Sequence, residues 1–67
     1  MDLEKKTLIL QGLNLLLERL SDCLTSGMKA NEETLIYFDW KSKFEFLEYY
    51  EKEIKKVRDT IEYVTKL

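Results

Sequence analysis

Histidine and proline are absent from the 67 residues, cysteine occurs once and glycine twice. A lone thiol cannot close an intrachain disulfide, and without histidine it lacks the companions that a structural zinc site needs. Nor is there an imidazole to activate Cys23 as a nucleophile. The two glycines, Gly12 and Gly27, stand fifteen positions apart, which excludes a glycine-rich phosphate loop. Charge of neither sign dominates: 11 Lys and Arg against 13 Asp and Glu leave a net charge of −2, so no long-range positive field draws the chain to nucleic acid or an acidic membrane. Long apolar runs are missing too. Gln11, Asn14, Glu18 and Arg19 interrupt the one candidate well before the roughly 18 apolar residues of a membrane-spanning helix. The opening Met1-Asp2-Leu3-Glu4-Lys5-Lys6 is too acidic for a signal peptide. These absences lead us to expect a cytoplasmic chain that is not an enzyme, holds no cofactor or metal, and has neither nucleic acid nor membrane as a partner.

What the chain does have is an excess of apolar surface. A domain this short buries only about 60% of what its unfolded chain exposes, and this one has no covalent or metal staple. A first helix is predicted over residues 3–26, with Asp2 as its N-cap and Glu4 favoured by the helix dipole. Its seam reads Leu3, Leu10, Leu13, Leu17, Leu20 and Leu24, with Ile9, Leu16 and Cys23 beside it and Leu8 and Leu15 further round. At 100° per residue that sweep covers roughly 200°, twice the stripe of an ordinary surface helix. One antiparallel neighbour cannot cover it. Cys23, set among leucines, reads as a packing residue with a quiet thiol. Gly12 would let a neighbouring helix approach closely.

Gly27 suits the left-handed residue that stops a helix, with Met28 packing back on Cys23. Asn31 then offers an N-cap, with Glu32 and Glu33 in the first turn. A second helix is predicted over residues 32–66, because Ile36, Trp40, Phe44, Leu47, Tyr50, Ile54, Val57, Ile61 and Val64 follow at steps of three or four. Glu48 with Lys52, Glu51 with Lys55 and Glu62 with Lys66 stand in the favourable i,i+4 order. Two other forms of residues 34–47 compete with a continuous helix. One is a break over residues 39–42, where Ser42 and Glu45 have capping-box spacing; the other is a β-hairpin turning at Lys41-Ser42. Lys43 interrupts the inner stripe, and its stem can lie along apolar surface with the ammonium at the rim.

The fold class that follows is all-α: a single domain, residues 1–67, folded as an antiparallel helical hairpin that assembles into a dimeric four-helix bundle or a similar helical oligomer. The plan resembles that of small αα-hairpins that pair into four-helix bundles, an analogy of architecture from which no residue roles follow. Helices of these lengths would leave the second overhanging the first by about 15 Å, with Val57, Ile61 and Val64 still apolar along the overhang. Phe38, Phe46 and Tyr49 fall away from the inner stripe, Phe46 nearest to it. The candidate interface with a partner or another copy is therefore Leu8, Leu15, Phe38, Trp40, Phe46, Tyr49, Val57, Ile61 and Val64.

The charged residues are less informative. Glu45, Glu48 and Glu51 form a ladder neutralised by Lys41, Lys52 and Lys55 one turn away, and the basic run Lys52, Lys55, Lys56, Arg58 is interleaved with Glu51, Glu53 and Asp59. Both read as solvated helix faces. The function expected from this balance is a small, non-catalytic protein–protein interaction module, a homo-oligomer that regulates or inhibits a macromolecular target. A purely structural self-assembling subunit competes with it. So does an acidic mimic that blocks a nucleic-acid-binding protein, against which the mixed-sign faces count.

Overall fold

The computed structural model describes residues 2–67, which form three helices and no strand: α1 (Leu3–Lys29), α2 (Glu32–Tyr37) and α3 (Lys43–Thr65). α1 and α3 pack antiparallel along their lengths, and α2 is a short elbow between them. The hairpin measures 47 × 16 × 14 Å. Among the described residues, no helix is long and apolar enough to cross a membrane.

Asp2 caps α1 as expected, its carboxylate accepting from the Glu4 amide at 3.0 Å. The other end differs from expectation. α1 continues through Gly27, which is helical and buried, and stops only where Ala30 turns extended and donates back to the Ser26 and Gly27 carbonyls. Gly27 is needed for space rather than for a turn. A Cβ there would overlap the ring of Phe46, which lies directly on the α1 backbone.

The left-handed stop belongs to α2. Asn31 caps its start through the Thr34 amide and hydroxyl, at 2.8 and 2.7 Å. At its end Asp39 takes φ 71°, its amide donates to the Ile36 carbonyl at 3.0 Å, and the Trp40 amide donates to Leu35 at 3.1 Å. Those two bonds are the paired closures of a Schellman motif, with Trp40 and buried Leu35 at the positions of its usual apolar contact. Aspartate is one of the few residues besides glycine that enters this region at modest cost. Ser42 then caps α3, accepting from the Glu45 amide at 3.1 Å, while the Glu45 carboxylate accepts from the Lys41 amide at 2.9 Å. The second helix is therefore broken over residues 38–42, not continuous from 32 to 66, and the hairpin turn at Lys41-Ser42 does not form.

The break removes the overhang. The Lys6 ammonium reaches the Thr65 carbonyl at 2.7 Å, so α3 ends beside the start of α1. At the elbow end the Lys43 ammonium bonds the Met28 and Ala30 carbonyls at 2.8 and 3.1 Å. A lysine from each long helix thus meets the unpaired carbonyls that close the other, where the dipole favours a cation. Between these ties the core comprises Ile54, Val57 and Val64 of α3, facing half-buried Leu10, Leu13, Leu17, Leu20 and Leu24 of α1, with Phe46 and Leu35 at the elbow. Val57 and Val64 are buried within one chain, so they need no second subunit to cover them. Glu48–Lys52 at 2.8 Å and Glu62–Lys66 at 3.0 Å pair as expected, whereas Lys56 pairs with Glu53 at 3.1 Å and no Glu51–Lys55 pair forms among the described residues.

The Gly27–Phe46 contact makes a direct test of this packing. Gly27→Ala should destabilise the chain by about 1–3 kcal/mol despite alanine's better helix propensity, because a close-packed ring must move. Phe46→Leu should relieve part of that cost when combined with it, and thermal melts of the two single variants and the double variant measure the coupling. Strict additivity would contradict the packing described.

Candidate interaction surface at the elbow

The Schellman closure turns Trp40 back onto α3, where its ring meets Phe46 at 5.2 Å, Tyr49 at 5.4 Å and Tyr50 at 6.0 Å between centroids. Phe46 and Tyr50 lie 4.7 Å apart, and Tyr49 and Tyr50 5.1 Å. Edge-to-face and tilted pairs at these distances are favourable beyond the area they bury. Because Phe46 also rests on Gly27, the four rings join the elbow to both long helices.

Beside this cluster runs an open cleft of about 430 Å³, lined by Cys23, Gly27, Leu35, Phe38, Trp40, Phe46 and Tyr50, with Asp22, Ser26 and Thr34 as its polar contributors. No hydrogen bond joins those three polar side chains to one another among the described residues; Thr34 is engaged by Asn31. Its mostly apolar lining suits apolar side chains. Burial raises the Tyr50 phenol above its ordinary value of 10.0, with the adjacent Cys23 thiol and then Tyr49 adding to the shift. The hydroxyl therefore stays protonated, and the wall carries no charge there. The elbow leaves large apolar groups in water: Phe38, at the edge of the cleft, is 65% exposed, Tyr37 82% and Phe44 75%. Tyr37 and Phe38 pack edge to face at 5.3 Å.

The residues singled out from sequence divide into three places. Phe38, Trp40, Phe46 and Tyr49 come together at the elbow: Phe46 is buried, Trp40 half-buried, and Phe38 and Tyr49 exposed. Leu8 and Leu15 are exposed on a separate face of α1. Val57, Ile61 and Val64 lie along the α1–α3 seam, the valines buried and Ile61 half-buried. Cys23 is exposed at the cleft and not sealed among leucines, and Met28 is exposed rather than folded back on it. Sequence reasoning missed Tyr37 and Phe44 as surface groups. A continuous helix had put Phe44 on the inner stripe; restarting the phase at the Ser42 cap turns it outward and brings Phe46 in. The signal was present in the Ser42–Glu45 spacing.

The elbow's geometry depends on Asp39. Asp39→Gly should keep stability within about 1 kcal/mol, since glycine enters the left-handed region freely, whereas Asp39→Val should cost about 1–3 kcal/mol, because a β-branched residue is strained there. Trp40 fluorescence should shift to the red in the valine variant alone. A valine variant with unchanged melt and emission would rule out the turn described. No protein-family model, curated protein or solved structure matches the chain.

Proposed function

We propose that this chain is a non-catalytic protein–protein interaction module that grips one macromolecular target with the elbow, regulates or inhibits it, and works as a homo-oligomer, in its simplest form a dimeric four-helix bundle. One observation carries this: Phe38 stands in water at the edge of an apolar cleft walled by Trp40, Phe46 and Tyr50 of the braced ring cluster, and the same elbow leaves Tyr37 and Phe44 exposed. Aromatic side chains are enriched among the few residues that dominate interface energies, and they do so best when already ordered. The Schellman closure and the ring contacts order the cleft wall before any partner arrives. An 8.1 kDa chain has little else to offer a target than such a surface.

A purely structural role has one observation in its favour, the second apolar face of α1 at Leu8 and Leu15, which calls for cover whether or not a target exists. Substitution at the elbow separates the two. Phe38→Ala and Phe44→Ala should leave the melt nearly unchanged, because both rings are exposed, while weakening target capture from the native host by about 2 kcal/mol or more. If both variants keep fold, assembly and cellular activity intact, the interaction role fails and the structural one stands.

A further inference from the structure

α1 has two apolar faces and α3 has one. Leu10, Leu13, Leu17, Leu20 and Leu24 turn toward α3, but Leu8, Ile9, Leu15 and Leu16 are all exposed, on an arc centred about 120° further round at 100° per residue. Over residues 7–18 the remaining third of the helix, with Thr7, Gln11, Asn14 and Glu18, is polar. Among the described residues, apart from the adjoining residues and backbone of α1 itself, nothing lies within 4 Å of where a Gly12 side chain would stand, so the middle of this outer face has a notch between leucines. α3 carries its ion pairs on the side turned to water, and its exposed aromatics, Phe44, Tyr49 and Tyr63, are spread along the helix and not gathered into one stripe.

We infer that a second copy of this chain covers the outer face of α1, so that two α1 helices form the shared middle of the assembly with one α3 on each flank. This rests on the homo-oligomer reading above and gives it an address. The area fits. The chain exposes 5390 Å², whereas a globular protein of 8.1 kDa exposes about 4,500 Å² by the usual size scaling, and the excess of about 900 Å² is close to the roughly 800 Å² that each partner contributes to a stable interface. The face is also self-complementary: it holds both a notch at Gly12 and the leucines that can fill one, as an isologous contact requires. Its charges permit the approach. Glu4 and Lys5 stand at one end, Arg19 and Asp22 at the other, so neither end presents a block of like charge; all four are exposed and none is in an ion pair within the chain among the described residues. The elbow cleft adjoins this face at the C-terminal end of α1, where Asp22 borders both, and its wall of Trp40, Phe46 and Tyr50 lies past the leucines.

Sedimentation equilibrium of the full chain tests this, with circular dichroism to follow the fold. The unmodified chain should dimerise, and Leu15→Glu should weaken the dimer by about a hundredfold or more, since symmetry places the change on both sides of the contact. Leu8→Gln, toward the other end of the face, should act in the same direction, and both variants should keep their helix content. Phe38→Ala should dimerise normally. A dimer as tight in Leu15→Glu as in the unmodified chain would overturn this placement while leaving the homo-oligomer in force. An unmodified chain that is monomeric throughout the micromolar range would overturn both, yet target capture that still depends on Phe38 would keep the interaction role. Unfolding of Leu15→Glu under conditions where the unmodified monomer is folded would show that Leu15 belongs to the core, and would overturn the inference as well.

Discussion

The absence of a side chain at Gly27 lets the rest of the hairpin close. With no Cβ in the way, the Phe46 ring lies on the backbone of α1, and α3 starts in contact with the last turn of its neighbour. Lys43 sits one turn earlier on the same helix, which brings its ammonium to the Met28 and Ala30 carbonyls left open where α1 ends. Trp40 and Tyr50 then pack on the same ring. At the far end Lys6 answers with the Thr65 carbonyl, so both ends of a two-helix layer are fastened by a cation at a helix C-terminus.

The elbow trades helix continuity for this fastening. Asp39 accepts a left-handed backbone so that the chain can reverse within residues 38–42, and two caps, at Asp39 and Ser42, satisfy the peptide groups the break exposes. The reversal shortens the second long helix enough for its end to meet the start of α1. It also sorts the aromatic residues. Trp40 and Phe46 become the frame, while Phe38 and Phe44, close to them in sequence, are left in water. The two apolar surfaces of the molecule have separate origins: the elbow aromatics follow from the break, and the outer leucines of α1 from a helix wider in its apolar arc than one neighbour can cover.

Much of this was written locally and could be read. The caps at Asp2 and Asn31, the antiparallel arrangement of two long helices, the leucine seam from Leu10 to Leu24, though not its expected first member Leu3, which is exposed, and Phe46 lying deeper than Phe38 and Tyr49 all follow from short-range rules applied to single turns. What resisted reading depended on residues far apart. Gly27 looks like a helix stop because glycine usually is one there; that it accommodates a ring nineteen positions later appears only once α3 is in place. The stop at Asp39 lacks the glycine or proline that announces most turns, and the apolar steps from Ile36 to Leu47 run through it without a gap. Their irregular 4-4-3 spacing, together with Ser42 and Glu45, was the trace of a phase reset. From preferring an unbroken helix to the break that Ser42 and Glu45 allow came the expected overhang at Val57, Ile61 and Val64, and the inward placing of Phe44. The exposure of Cys23 was hidden for a simpler reason: the leucines near it in sequence face α3, while Cys23 falls on the side of the outer arc.

Proton–proton contacts in solution test the closure most directly. With the elbow broken at Asp39 and Phe46 seated on Gly27, nuclear Overhauser effects should connect the side chains of Lys6 and Leu10 with those of Ile61 and Val64, and the Phe46 ring with the Gly27 α-protons, while the i to i+3 connectivities of a helix should be missing across residues 38–42. Unbroken helical connectivities from residue 32 to 66, with no contact between the Phe46 ring and Gly27, would contradict the account at its root.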